Sequence, residues 1–554
     1  MLTAVISIIL SIFAPPMNDV ISLAGNFGEP RPHHFHGGLD VKTEGREGKH
    51  VYAIGDGYVS RVTMGLYGFG NAVYITHPSG QTSVYCHLKS FSPRIKAALR
   101  RYQYLHETSV ADARLTPLDV PVSQGQFIAL SGNSGHSTAP HLHLELHDTR
   151  TWDMLDPYPF LSDHIADSVA PQAHGLMAVP QAGQGTFNGS CRKQTFGIGG
   201  HHIDRQFTAW GRVGFALWAD DYMQGSYNHY GVRQTVLTVD GREVFRSVVD
   251  RIPMRHNRLV NSWGDYDHWL HYRTWYLKSF VEPGNTLPML QADRERGIVS
   301  FDEQRDYHLE YILSDYHGNE ARYTFTVRGE RPVPTAESAS TAPSRTFTCL
   351  RWNQTNTYGV PGMQMVVPYG LLATDVELSP VVKRQPYALS DVYTFTSQSC
   401  PLAADGEISI FVRQENIVAE PALQRVVDPE KLYVTCDGRY AGGSYAKGWV
   451  TGRLRDLGGS YAVAYDNCPP LIRPISLTGG RLLFSVTDGQ SGVASWRGDV
   501  DGRFVVFDAV DKSSNMVCHL DESPVSRTGK THHLRLLATD RCNNTAAYEA
   551  EIVY

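Results

Sequence analysis

The sequence predicts a mainly β chain, with an N-terminal antiparallel β-sheet domain carrying one inserted helix, followed by Ig-like β-sandwich modules. Three observations carry this prediction. Between residues 25 and 160, short apolar runs alternate with Gly-, Pro- and Asp-rich turns at the spacing of antiparallel strands. Within that stretch, the segment after Ser92 shifts to helical periodicity. Beyond Pro171 the chain stays β-rich and repeats itself. At 554 residues it exceeds what one core supports, and with 42% apolar and 19% charged residues it reads as folded throughout. A formal net charge of −6 without a basic block argues against nucleic acid as a partner.

Taken in order, residues 2–14 form an apolar run too short to span a bilayer, followed by Pro15-Pro16. Residues 1–16 are therefore expected to be a signal peptide or apolar leader, although no Lys or Arg precedes the run; the chain is then exported. Strands are expected at residues 51–54, 58–62, 72–76 and 127–130, between turns such as Asp56-Gly57 and Pro78-Ser79-Gly80. Ser92 and Pro93 suit a helix N-cap and first turn, and Ile95, Leu99 and Tyr102 continue at helical spacing. This insertion, residues 92–122, either packs outside the sheet or walls a substrate groove.

The repeat rests on two matches. Gly231-Val232 precedes Asp240-Gly241-Arg242 by the same distance that Gly492-Val493 precedes Asp501-Gly502-Arg503. His308, Leu309, Asp315, Asn319 and Ala321 match His533, Leu534, Asp540, Asn544 and Ala546 in register. Two copies of a β-sandwich are expected, at 165–331 and 470–554, with a Pro/Ser/Thr/Ala-rich linker at 332–344 and another β module at 345–468. None of the eight cysteines forms a Cys-x-x-Cys pair. In an exported chain they suit structural disulfides, with Cys518 to Cys542 as the favoured pairing.

The chemistry concentrates in two segments. In His33-His34-Phe35-His36-Gly37-Gly38-Leu39-Asp40 an imidazole stands four residues before a carboxylate, and the paired glycines make this a turn entering a strand. Pro140-His141-Leu142-His143-Leu144-Glu145-Leu146 alternates strictly, so His141, His143 and Glu145 share one face with leucines packed behind. Three titratable groups in a row on one strand face point to a metal or catalytic site. Histidine and carboxylate donors suit a catalytic zinc with three protein ligands and an open position for water. The helical His-Glu-x-x-His motif is missing from the sequence, so a glutamate base beside two helical ligands is not the design.

Together with His87-Leu88 after Val84-Tyr85-Cys86, and the loop Ser131-Gly132-Asn133-Ser134-Gly135 before the His-x-His strand, residues 20–160 resemble the lysostaphin/LytM-type zinc endopeptidases. The resemblance implies a zinc peptidase domain over 20–162, in which His36, Asp40 and His143 bind Zn2+. It implies that His87 and His141 are catalytic, activating water and stabilising the oxyanion. The implied activity is metalloendopeptidase cleavage of peptide stems in bacterial peptidoglycan, in the periplasm or cell envelope. Alternatives are a catalytically inactive envelope scaffold that activates a cell-wall amidase, and a peptidase for a secreted protein. The mature chain is expected to lack a stable membrane span, and envelope proteins are candidate partners for the C-terminal modules, which resemble those of long Gram-negative members. Two departures from the family stand out: Cys86 replaces a small residue, and the insertion 92–122 is long. Glu145 is expected to hydrogen-bond an imidazole. His33 and His34 are expected in the groove or on the surface. Cys86 is expected to face the core because strand neighbours point to opposite faces.

Overall fold

The computed structural model describes residues 13–17, 20–65, 68–331, 348–413, 428–510 and 512–554. Most of the expected leader (residues 1–12) and the expected linker therefore lie outside the described residues. Phe13, near the end of that leader, and Met17, just past it, are buried in the core of the N-terminal unit, and the Ala14 N–H donates to the Ile54 carbonyl.

That unit is built on one antiparallel sheet. Its strands are β1 (Leu23–Gly25), β2 (Gly38–Lys42), β3 (Gly57–Thr63), β4 (Ala72–Thr76), β5 (Gln81–Cys86), β6 (Asp112–Arg114) and β7 (His141–Asp148), in the spatial order β1-β2-β7-β5-β4-β3-β6. The alternation expected in β7 holds: Leu142, Leu144 and Leu146 are at most 1% exposed and pack behind it. Each such buried leucine contributes roughly 2 kcal/mol of hydrophobic stabilisation. Leu39, Val41, Val59, Val73, Ile75 and Tyr85 complete that face of the core. A second sheet of three short strands, His50–Tyr52, Phe127–Leu130 and Ser90–Phe91, lies beside it.

Helix α1 (Pro93–Leu105) buries Ile95, Ala98 and Leu99 against this core. Ser92 stands at its N-cap, but the hydroxyl makes no capping bond, and Pro93 removes one of the donors a cap would serve. The other side of the helix meets the C-terminal unit. Arg100 makes a two-pronged ion pair with Asp508, and Lys96 reaches Glu522. The insertion is thus an inter-unit dock rather than a free outer layer.

After residue 165 the chain forms further β sheets. The first is ten-stranded and contains the long pair Gln172–Phe187 and Phe207–Asp220. Two five-stranded sheets follow between residues 356 and 465, and two four-stranded sheets complete the chain. The two segments matched in the sequence share local bonding at their Asp-Gly turns. Asp240-Gly241 and Asp501-Gly502 both turn a hairpin with positive φ at both residues (50° and 78°, 50° and 73°), the geometry that Asp-Gly favours. In each copy the aspartate N–H donates to a histidine carbonyl, His308 or His533, and its Oδ1 accepts that histidine's N–H.

The disulfide expectation is wrong. All eight cysteines are free. Cys518 sits in the sheet strand Asn515–His519, whereas Cys542 lies in the turn between strands of the other terminal sheet, so no bridge joins them.

Candidate metal centre

Strand pairing brings the ligands together. β2 and β7 pair with Asp40 directly opposite His143, and β7 pairs on its other side with β5, placing Cys86 opposite His143. Gly37 and Gly38 allow β2 to approach this closely. A Cβ on Gly38 would lie 2.1 Å from the Leu144 carbonyl oxygen, and one on Gly37 would lie 2.4 Å from Glu145 Oε1. His36 is delivered by the turn just before them.

Three atoms converge. His36 Nε2 lies 3.0 Å from both His143 Nδ1 and Asp40 Oδ1, and His143 Nδ1 lies 2.8 Å from Asp40 Oδ1. Of the expected site residues, these three form the cluster able to hold a metal ion. The fit to zinc is good. Tetrahedral bonds of about 2.0–2.1 Å require ligand atoms about 3.3 Å apart, a few tenths of an ångström beyond the present spacing. The donor set of two imidazoles and one carboxylate is also one that zinc favours.

Neighbouring groups fix each ligand's orientation. His36 Nδ1 donates to the Asn26 carbonyl, leaving Nε2 as the free donor atom. His143 Nε2 donates to Glu145 Oε1 at 3.0 Å, turning Nδ1 toward Asp40 and the cluster, and Glu145 Oε2 bonds His147 at 2.7 Å. Asp40 presents Oδ1 to the cluster while Oδ2 accepts from Arg31 at 2.9 Å. Glu145 thus occupies the role expected of it. His147, not among the expected site residues, extends the same period-two alternation one step beyond Glu145, so the strand pattern itself signals it. Arg31 and the Asn26 carbonyl carry no periodic signal at all.

The remaining pair lines the open side. The His141 side chain has Nε2 at 3.2 Å from Asp40 Oδ1, and its Nδ1 donates to the Ala139 carbonyl at 2.8 Å. His87 Nδ1 donates to the Ser134 carbonyl at 2.8 Å, and the His87 and His141 ring centres are 4.9 Å apart. The glycine loop supplies that carbonyl, and the Ser134 hydroxyl ties it back to the Leu88 carbonyl at 3.0 Å. One expectation about the backbone is corrected. β5 ends at Cys86, and His87 adopts a left-handed φ of 58°, so the two are not neighbours on one strand. Cys86 does not face the core behind β7: paired directly with His143, it shares that residue's face of the sheet, where it is buried in a small cluster with Ala72, Tyr74 and Val84. Burial, and then the Glu145 and Asp40 charges, push its thiol well above the usual range, so it stays protonated. His33 bonds Tyr266 and Asn261, and His34 is exposed, so neither joins the centre.

Protonation differs sharply among the imidazoles. Burial pushes His36 down to about 4 despite the opposing pull of Asp40. Burial and then the nearby His143 and His141 push His87 down to about 3. His143 moves the other way. Burial opposes its charge, but hydrogen bonds to Asp40 and Glu145 prevail and lift it to about 9. Asp40 and Glu145 both stay below the usual carboxylate range, because contacts with imidazoles outweigh burial.

Part of this arrangement falls within a match to a known family. The model of Peptidase family M23 matches residues 34–109, which contain His36, Asp40 and His87. The chain carries a peptidase family M23 domain. A Zu5-like domain matches residues 348–466, further along the chain from the M23 domain. An uncharacterized metalloprotease of Haemophilus influenzae is 34% identical over 120 residues, covering 22% of this chain and 19% of that protein. The matched segment is thus about a fifth of that relative. Similar solved structures include the catalytic domain of lysostaphin from Staphylococcus simulans (26% identity, 25% of this chain and 89% of that one, TM-score 0.18). Another is a zinc-containing peptidase from Vibrio cholerae (28% identity, 26% of this chain and 37% of that one, TM-score 0.19). Among the described residues, no helix is long and apolar enough to cross a membrane.

Proposed function

We propose that this chain is an exported zinc metalloendopeptidase that hydrolyses peptide cross-links of bacterial peptidoglycan in the periplasm or cell envelope. The observation that carries the reading is the convergence of His36 Nε2, Asp40 Oδ1 and His143 Nδ1, with two further imidazoles on the open side. In this reading residues 20–162 form the catalytic domain, and the β units at 165–331, 345–468 and 470–554 support and space it.

Zn2+ held by these three atoms would supply Lewis-acid polarisation and a water whose pKa falls to about 7. The protein's own residues do the rest. His87 is neutral at pH 7, and with Nδ1–H fixed on the Ser134 carbonyl its Nε2 lone pair is available to a proton. His141, with Nδ1 fixed on the Ala139 carbonyl, presents Nε2 to the same space. One ring accepts the proton of the attacking water at Nε2, and the N–H so formed steadies the developing oxyanion until it passes the proton to the amine, which then leaves. Arg31 and Glu145 keep the ligands aligned through Asp40 and His143.

The test of substrate is digestion by the zinc-loaded full chain of purified peptidoglycan, a glycine-rich peptide and an unfolded secreted protein, with new amino termini counted by mass spectrometry. New termini in peptidoglycan stems are expected. Cleavage of the peptide or protein alone would move the substrate elsewhere, and no cleavage with zinc bound would favour the scaffold reading.

A further inference from the structure

The M23 site leaves two clusters of aspartates unused. Asp167, Asp221 and Asp315 bring carboxylate oxygens within 4.8 Å of one another, and Asp466, Asp488 and Asp540 do the same. The triads occupy equivalent places in the repeat. Asp315 and Asp540 close the same turn, each accepting the N–H of an asparagine, Asn319 or Asn544, at 2.8 Å. Asp221 and Asp488 lie in the loops leading to Gly231-Val232 and Gly492-Val493. Asp167 and Asp466 lie in the segments that enter each unit, and each accepts at 3.0 Å the N–H of the residue two positions on.

Clustered carboxylates repel, and burial removes the water that would screen them. Asp221 and Asp315 are 3% exposed, Asp466 0% and Asp540 1%. Burial and the neighbouring Asp167 and Asp315 push Asp221 up to about 8, against a single opposing bond from the Tyr222 N–H.

A second, independent feature points to a ligand. Tyr158 lines the same cavity as Asp167, Asp221 and Asp315, a space of about 20 Å³. Its side chain is 5% exposed, its hydroxyl has no hydrogen-bond partner, and the charges acting on that hydroxyl are those of Asp167, Asp315 and Asp221, then Asp156. A buried hydroxyl left in this condition costs roughly 1–3 kcal/mol unless something between it and the carboxylates engages it. Beside the second triad the Ser491 N–H donates to Asp466 at 3.0 Å, while its hydroxyl lies against the Cys542 thiol.

We propose that each triad is a calcium site, and that the two cations clamp the joints through which the two repeated β units follow the preceding parts of the chain. All donors are hard oxygens, which select Ca2+ or Mg2+ over zinc. Mg2+ keeps several waters and a strict octahedron, for which the 20 Å³ cavity at the first triad has no room. Ca2+ sheds its water for six to eight oxygens in irregular geometry, as three loops can offer. The placement gives the function. Tyr158 belongs to the short helix Tyr158–Leu161 that follows the M23 sheet, Asp167 lies in the joint, and Asp221 and Asp315 belong to the unit beyond. Likewise Asp466 is the last residue of the Zu5-like match, and Asp488 and Asp540 belong to the final unit. One cation ties each pair of neighbours, and the proposal is independent of the peptidase reading.

The experiment uses the full chain, stripped of metal, given one equivalent of zinc and titrated with Ca2+ by calorimetry. Two Ca2+ per chain are expected, with a rise in the thermal unfolding midpoint. Asp221→Asn and Asp488→Asn are each expected to bind one, and the double variant none. Mg2+ at equal concentration is expected to leave the count at two. No calcium binding at millimolar concentration, a wild-type count other than two, or an unchanged count in both single variants would overturn the proposal. So would displacement by Mg2+. The wild-type count decides even where a variant fails to fold.

Discussion

His143 faces two carboxylates, Asp40 through Nδ1 and Glu145 through Nε2, and this sets the acid–base behaviour of the whole centre. In the metal-free chain its pKa is about 9, so it carries a proton at pH 7, whereas His36, at about 4, does not. A metal ion must therefore displace one proton below pH 9 and none above it. Zinc affinity is expected to rise about tenfold per pH unit between roughly pH 5 and 9 and then level off. Calorimetry in buffers of different ionisation enthalpy is expected to find about one proton released per zinc at pH 7. Finding none would show that His143 is already neutral. At this scale the sequence was highly legible for side chains carried on an alternating strand, because period-two spacing fixes their common face. It was silent on Arg31 and on the Asn26 carbonyl, which reach the centre through the path of a turn. His87 shows the limit most clearly. Its residue type and neighbours marked it, but its left-handed backbone depends on bonds from its N–H to the Phe69 carbonyl and from its ring to Ser134. No local pattern reports those contacts.

Among the elements, the pairing of β2 with β7 is the decisive one, since it sets Asp40 opposite His143 and depends on Gly38. Gly38→Ala would place a methyl 2.1 Å from the Leu144 carbonyl oxygen, a contact that neither rigid backbone can relieve. The variant is expected to lose roughly 1–3 kcal/mol of stability or more, and most of its zinc. Thermal unfolding and metal content of the purified variant check this; a protein with wild-type values for both would refute the close-approach argument. The expected helix is present, and so is every strand expected before residue 131. The sequence could not show what the outer face of α1 touches, because its partners Asp508 and Glu522 lie some four hundred residues further on.

For the whole molecule, that contact makes the chain double back, so that its final unit rests on the insertion of its first. The Ser109 hydroxyl also accepts the Phe507 N–H at 3.1 Å. Arg100 and Asp508 are each 17% exposed at the side chain, so their charge-assisted bonds are only partly screened. Asp508→Ala is expected to weaken the dock by roughly 1–3 kcal/mol and to raise hydrogen exchange in residues 93–105 without changing zinc content. Unchanged exchange there would show that the two units do not hold each other. The shared turns of the two matched segments were readable because Asp-Gly hairpins and an Asp-to-Asn closure keep fixed spacing. The cysteines misled because spacing says nothing of which sheet a residue joins.

The central claim is that His36 serves the metal while His87 serves the reaction. Zinc content by mass spectrometry and muropeptide release, measured together on wild type, His36→Ala and His87→Ala, test it most directly. Wild type is expected to hold about one zinc and cleave fully, His36→Ala to do neither, and His87→Ala to keep its zinc with cleavage reduced at least about a hundredfold. Full cleavage by either variant, or loss of zinc from His87→Ala alone, would contradict it.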